Sequence, residues 1–402
     1  MTSPRRATIA DVAAASGFGV GTVSRVINGA ANVREATRVS VLEVINQLGY
    51  RPSHLAVSLS RGTARTIAIV VPHLTRPSAV MRLAGALAVL DEQGYDTVVC
   101  NVDTPQQRDH HLAAMTTRHR ADGVIVVSLR LSRQQLASFR RARVPLVTVD
   151  VLAPGVPQTV TDNVTGGRLA AEHLLSLGHR RIGFVGDTVR RLSATNLGLT
   201  ASQHRLSGYR QALAAAGIDY NPALVRRGPH SPANAETLAA ELLALPDRPS
   251  AIFAASDTQA MGVLTAADRC GVPVPGQLSV IGFDDIEAAA MLGLSTVRQP
   301  LENSGAEGAR RLCALLRAER VNPLRQRLAL EVVCRSSTAS FRVNGPRTRS
   351  VTARPSRGGG RIEGLACAGQ PAFRRLRKGN VTRRPARQCG DALAGNWQRL
   401  EG

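Results

Sequence analysis

Between residues 8 and 48 the apolar positions recur at helical spacing in three short runs. Ile9, Val12 and Ala13 share one face of the first. Val23, Val26 and Ile27 share one face of the second, over about 19–28. Val39, Leu42, Ile45 and Leu48 share one face of the third, over about 34–48. Thr8 with Asp11 has the pattern of a capping box, with a shorter acid than the usual Glu. Ser16-Gly17 marks a turn, and Gly49 stands where a helix ends on a left-handed residue. Two helices joined by a tight turn and clamped by a third predict a helix-turn-helix, domain 1–50. RPSHLAVSLSRG, 51–62, reads as a linker: Pro52 stops the preceding helix and Gly62 frees the next step.

From 66 to about 318 the period changes. TIAIVV, YDTVVCNV, DGVIVVS and PLVTVD are short, β-branched runs that alternate with helical stretches such as 77–93 and 104–119. RRIGFVGD, AIFAASD and LSVIGFDD repeat the rhythm, separated by helices near 201–217, 232–245 and 258–270. Runs apolar on both faces predict parallel strands covered by helices. Two such blocks predict an α/β core of two doubly wound lobes with a ligand crevice between them, over 63–341. STVRQP, 295–300, is the expected crossing back to the first lobe. From Arg342 to Gly402 no period survives, and Pro, Arg and a GGG run predict disorder.

Composition narrows the function classes. The 402 residues are 44% hydrophobic but only 3% aromatic, so the core must be aliphatic. The net charge of +22 suits a polyanion partner, and it is carried by arginine, with Lys378 the only lysine. Residues 342–402 hold 14 basic and 3 acidic residues, a net of +11 and half of the excess; residues 1–62 hold 7 and 3. No apolar run reaches membrane-spanning length, and the N-terminal stretch lacks a secretory apolar region. The six cysteines (100, 270, 313, 334, 367 and 389) form no CxxC pair, which suits reduced thiols in a cytoplasm. His110-His111 diverge on any helix, so no metal is expected. Without GxGxxG after the first strand or GxSxG, no catalytic residue and no cofactor is expected.

TVSRVINGAANV, 22–33, sets Thr22, Ser24, Arg25 and Asn28 opposite the apolar face, chemistries suited to phosphate and base edges. With its surroundings, ATIADVAAASGFGVGTVSRVINGAANVREATRVSVLEVINQLGYRPSHLAVSLSRG resembles the DNA-binding headpiece and hinge of the LacI/GalR family of bacterial repressors. TIADVA, TVSRVIN, Thr37-Arg38, LGYRP and LSRG carry the likeness. EHLLSLGHRRIGFVGD, RLSGYRQAL, ASDTQAMG, LSVIGFDD and STVRQP continue it in the family's order, so that it covers residues 7 to about 341. The resemblance implies a recognition helix over 19–27, beginning at Gly19, with Val20, Gly21 and Thr22 at its base-reading end. It implies phosphate contacts from Thr8, Ser24, Asn28 and Asn32, with Arg25 also on the DNA-binding side. It also implies a hinge helix on DNA with Ser53, Ala56 and a minor-groove wedge at Leu59. The chain departs from the family at Gly19, where Ser is usual, at Gly21, which lacks a side chain, and at Ser53, where Asn is usual.

The crevice can be read from the residues. Ligands of doubly wound sheets sit beyond the carboxyl ends of the strands. Here those ends carry Asp150, Asp162, Asp187, Asp257 and Asp284-Asp285. Some of these acids suit helix caps, Asp257 above all. Converging carboxylates with an arginine suit the hydroxyls of a sugar or related polyol. The resemblance adds Arg205 as the effector-contacting arginine, Asp284 as its acidic partner, and Asp150, Ser256 and His230 as further contacts. LTRPSA, 74–79, lacks the aromatic that could stack on a sugar face. The expectation is a cytoplasmic, homodimeric repressor that binds palindromic double-stranded operator DNA and answers to a small ligand, with no membrane partner. The rivals are a two-lobed sugar-binding protein without regulatory DNA binding, and an enzyme.

Overall fold

The computed structural model describes residues 7–30, 32–50, 65–117, 120–188, 197 and 199–341. Ser53, Ala56 and Leu59 of the expected hinge, and the basic tail, lie outside the described residues.

The N-terminal unit is three helices, α1 (Ile9–Ser16), α2 (Val20–Ile27) and α3 (Glu35–Gln47). The capping box forms: Asp11 N–H donates to Thr8 Oγ1 at 3.3 Å, and Thr8 N–H donates to Asp11 Oδ2 at 2.8 Å. Gly17 and Gly49 take left-handed φ of 72° and 59°, ending α1 and α3 as their positions require. Val12, Ala13, Val23, Val26 and Val41 make the small core.

The inward face of α3 differs from the expected one. Val41 is buried with Val44 and Ile45 beside it, while Val39, Leu42 and Leu48 are 40–47% exposed. The helix is apolar on two adjacent rows, both at helical spacing. Packing against α1 and α2 selects the row through Val41, which a period alone cannot do.

The core holds two six-stranded sheets. In the first lobe, β1 (Thr66–Pro72), β2 (Asp96–Val102), β3 (Gly123–Val127), β4 (Leu146–Val149), β5 (Gln158–Thr161) and β11 (Arg325–Leu328) pair in the order 11-5-4-3-1-2, all parallel. Their helices are α4 (Pro77–Glu92), α5 (Pro105–Met115), α6 (Arg133–Ala142) and α12 (Leu301–Leu316). In the second lobe, β6 (Ile182–Asp187), β7 (Val225–Gly228), β8 (Ala251–Ala254), β9 (Ser279–Asp284), β10 (Ser295–Arg298) and β12 (Glu331–Val333) follow the matching order 12-10-9-8-6-7. Only β12 runs antiparallel there. Its helices are α7 (Asn163–Ser176), α8 (Ala201–Ala215), α9 (Pro232–Leu243), α10 (Asp257–Arg269) and the short α11 (Glu287–Met291).

The β-branched runs make both sheet faces apolar. Along β1, Ile67, Ile69 and Val71 enter one core cluster and Ala68 and Val70 the opposite one. In the second lobe Val280 enters one cluster while Ile281 and Phe283 enter the other. STVR is not itself the crossing. It is strand β10 of the second sheet, parallel to β9, and the crossing follows at Gln299-Pro300, where Pro300 stands at the N-cap of α12.

Candidate functional site

Two places gather the residues singled out above. The first is the open end of α2. Gly19 caps the helix with φ −64° and ψ 150° and supplies no side-chain hydrogen bond; its carbonyl accepts from Thr22 N–H at 2.8 Å, and the N–H groups ahead of that bond have no side-chain cap. Val20 is 47% exposed; Gly21, Arg25 and Asn32 are also exposed, and Thr22, Ser24 and Asn28 are half-buried. Asn28 Nδ2 donates to Ser24 Oγ at 3.3 Å, joining two of the expected phosphate contacts. Thr8 is exposed at the start of α1. The uncapped helix end carries the positive pole of its dipole outward, a ready seat for phosphate.

The second place is a cavity of about 500 Å³ between the lobes. It lies where the strand orders reverse, beyond the ends of β1 and β3 and of β6 and β8. Asp150, Arg205, His230, Ser256 and Asp284 all line it. The chain turns there through left-handed backbone at non-glycine residues: His73 (φ 47°), Ser128 (φ 53°), Asp150 (φ 59°), Asp284 (φ 123°) and Asp285 (φ 61°). Each directly follows or closes a strand, and each aims its side chain by a backbone that costs on the order of 1–3 kcal/mol.

The floor is a buried polar chain. Arg205 is 6% exposed and lies over the Phe283 ring at 3.6 Å. Its Nε donates to Asn163 Oδ1 at 2.8 Å, its Nη1 donates to the Ala255 carbonyl, and Asp284 Oδ1 is 3.5 Å away. Arg205 therefore joins parts of the second lobe and does not tie the lobes together. In the first lobe Arg82 occupies the corresponding place, on the helix after β1 as Arg205 is on the helix after β6. Its Nη2 pairs with Asp150 Oδ2 at 3.2 Å. Gln299, in the crossing, links the two halves: its Oε1 accepts from Arg82 at 2.9 Å and its Nε2 donates to Asp284 Oδ1. Sequence reasoning missed Arg82, Gln299 and Asn163. Arg82 gave a faint signal as a charge on the apolar face of α4.

Charges shift as this geometry requires. Burial pushes the Asp284 carboxyl up, against Arg205, Arg82 and the Gln299 hydrogen bond. Burial also pushes Asp187 up, but the His230 hydrogen bond and charge, with Arg76 and Arg205, bring it below the usual range. His230 Nδ1 sits 3.0 Å from Asp187 Oδ1, which also accepts from Gln259 Nε2 at 2.9 Å.

Asp257 is not the cap of α10. Ser256 is, accepting from Gln259 N–H at 3.2 Å, so its hydroxyl has a structural task at the cavity wall. Asp257 lies fully buried behind the floor, accepting from Thr296 Oγ1 at 2.6 Å and Ile286 N–H at 3.0 Å. Burial, then the neighbouring Asp284, pushes its carboxyl up to about 7. Asp162 does cap α7, accepting from Thr165 N–H at 3.1 Å. Among the described residues no cluster of three or more His, Cys, Asp or Glu could hold a metal ion, and no helix is long and apolar enough to cross a membrane.

Residues 8–53 match the family of bacterial regulatory proteins, lacI family, and residues 171–338 match the periplasmic binding protein-like domain. The HTH-type transcriptional regulator CelR of Thermobifida fusca is 33% identical over 84% of this chain and all of its own length. The HTH-type transcriptional regulator DegA of Bacillus subtilis is 32% identical over 83% of this chain and 98% of its own. A solved CelR–cellobiose complex, 32% identical, covers 83% of this chain and all of that one with a TM-score of 0.60. The lac repressor dimer bound to operator and an anti-inducer, 26% identical with the same coverage, gives 0.72. Matched from the first turn of its headpiece to the last strands of its core, and spanning these regulators almost end to end, the chain belongs to the lacI family of bacterial regulatory proteins and is a transcriptional regulator, not an enzyme.

Proposed function

We propose that this regulator is a cytoplasmic repressor that grips a palindromic operator as a homodimer and releases or tightens it when a small polar metabolite enters the interlobe cleft. Residues 1–50 form the headpiece, 51–62 the hinge, 63–341 the dimerising effector core and 342–402 a basic tail. The observation that carries the reading is the union, in one chain, of an outward-facing uncapped α2 and a cleft whose floor runs from Asp150 through Arg82 and Gln299 to Asp284. A ligand that favours one arrangement of the lobes shifts that floor, and through the hinge shifts operator affinity.

Val20, Gly21 and Thr22 face base edges. Thr8, Ser24, Asn28 and Asn32 hold phosphates, Gly19 and Arg25 lie on the DNA side of the same helix, and Ser53 and Ala56 belong to the hinge whose Leu59 enters the minor groove. Asp150, Arg205, His230, Ser256 and Asp284 hold the effector. The lac repressor structure, a dimer on operator, supports the dimer and the DNA partner, and the cellobiose on CelR supports a sugar-like effector class. Selection of bound DNA from a random pool, repeated with metabolites present, tests this. The expected product is a sequence with two inverted half-sites whose recovery one class of metabolite changes. Enrichment of a single undivided half-site would overturn the dimer, and no enrichment at all would overturn sequence-specific binding.

A further inference from the structure

We propose that the effector of this cleft is an anionic polyol, a molecule with several hydroxyl groups and one carboxylate or phosphate, whose negative charge rests against Arg76. The proposal rests on the reading of the cleft as the effector site. It comes from matching each charged group of the lining to a partner.

Among the described residues the lining holds six arginines against four aspartates. Arg82 is taken by Asp150, Arg205 by Asp284, Arg327 by Asp162, and Asp187 by His230. Arg76, Arg130 and Arg325 are left, and among the described residues none of their guanidinium groups has a hydrogen bond or ion pair. Arg130 and Arg325 are exposed at the rim. Arg76 is half-buried at the N-cap of α4, where it makes no capping bond, and it faces Asp187 and Asp284 of the opposite lobe only at a distance. Burial opposes its charge, with no acceptor in contact to compensate. A guanidinium so placed is completed by a planar or tetrahedral oxyanion.

The backbone reinforces the sign. The N-termini of α4, α7, α8 and α10 all border the cavity. Those of α7 and α10 are capped by Asp162 and Ser256, whereas the caps of α4 and α8, Arg76 and Thr200, make no side-chain hydrogen bond. Two helix poles without a side-chain cap therefore add their positive ends to those arginines.

The hydroxyls follow from the opposite need. Asp150 Oδ1 is buried without a donor, although Oδ2 of the same carboxylate holds Ser128 and Arg82. It asks for a ligand O–H. Among the described residues no Phe, Tyr or Trp lines the cavity, so beyond the imidazoles of His204 and His230 a neutral sugar face finds no ring to stack on. A charged polyol needs none.

The test uses the full chain with three probes at matched ionic strength: inorganic phosphate, a panel of sugar acids and sugar phosphates, and the corresponding neutral sugars. Phosphate is titrated calorimetrically into the parent, Arg76→Gln, Arg130→Gln, and Arg140→Gln as a control at an exposed residue outside the lining. The expected result is phosphate binding weakened roughly tenfold or more in Arg76→Gln, less in Arg130→Gln and not in the control. Equal binding by the parent and a folded Arg76→Gln would overturn the proposal; if that variant does not fold, equal binding by the parent and Arg130→Gln would do so. Within the panel, a preference for acids or for phosphates separates the two oxyanions, and either one supports the class. Operator titrations separate this proposal from the reading beneath it. A neutral sugar that releases operator from the parent and Arg76→Gln alike leaves regulation standing and sinks the anion. An anion that binds through Arg76 yet leaves operator affinity unchanged sinks regulation and keeps the ligand class.

Discussion

Asp257→Asn is expected to become the stabler protein as pH rises. The folded carboxyl, fully buried and beside Asp284, holds its proton up to about 7, whereas an unfolded chain releases it near the ordinary aspartate value of about 3.9. A folded state that keeps a proton longer than the unfolded state is favoured by acid. The contribution is whole below about pH 4, falls as pH climbs, and is gone above about pH 7. Between about pH 5 and pH 8 the parent should lose roughly 2–3 kcal/mol through this one group, out of about 4 kcal/mol for the whole interval. Asparagine cannot ionise, and its amide can still serve Ile286 N–H and the Thr296 hydroxyl. At pH 5 the two proteins should therefore be close in stability. At pH 8 the variant should lead by about that margin. Urea unfolding of both chains across this range, followed by far-ultraviolet circular dichroism, measures the difference. Carboxylates remote from this pair shift both curves alike, so the gap between them reports on Asp257 together with its neighbour Asp284. A gap that stays constant from pH 5 to pH 8 would refute the assignment of a proton to Asp257 in the folded protein.

Three further outcomes follow from the packing and the headpiece. A Cβ at Gly305 would overlap the Arg82 carbonyl, and one at Gly208 the Val164 carbonyl; either Gly→Ala change should cost at least the ~1–3 kcal/mol of an overpacked core, read as a lower denaturation midpoint. Thr8→Ala should cost about 1 kcal/mol by opening the capping box, whereas Gly21→Ala, whose new methyl meets nothing within 4 Å, should stabilise the headpiece by roughly 0.5–1 kcal/mol. Replacing Val20, exposed at the open end of α2, should change the preferred base within a half-site by ~1–3 kcal/mol in a selection from random DNA, and an unchanged preference would remove it from the reading face.

The sheets were legible because a run such as TIAIVV is short, β-branched and apolar on both faces, as a strand covered on both sides requires, and because such runs alternate with helical stretches. The capping box at Thr8 and the glycines at 17 and 49 were legible because each answers a purely local geometric need. The inward row of α3 was not, since two rows satisfy the same period and only the neighbours decide. The acids at the strand ends were legible as a set, because doubly wound topology brings strand ends together wherever they fall in the chain. Their individual tasks were not. Asp257 sits one residue inside its helix and bonds to Thr296, 39 positions away, which no local pattern announces. Arg82 and Arg76 read as solvated helix charges until Asp150, Gln299 and the opposite lobe surround them.

The glycines behind the floor have a consequence for how such a regulator changes its diet over generations. Gly305 lies against the main chain of Arg82, and Gly167 against that of Arg205. Both buried guanidinium groups are thus anchored by contacts between backbones, which drift in side-chain identity cannot loosen without loosening the lobe as well. Arg76, Arg130 and Arg325 carry half-buried or exposed side chains at the cavity wall. Mutation can exchange them one at a time while the lobes keep their registration. Novelty in what is sensed can accumulate around the mouth of the cleft, and the machinery that converts sensing into a response is inherited intact.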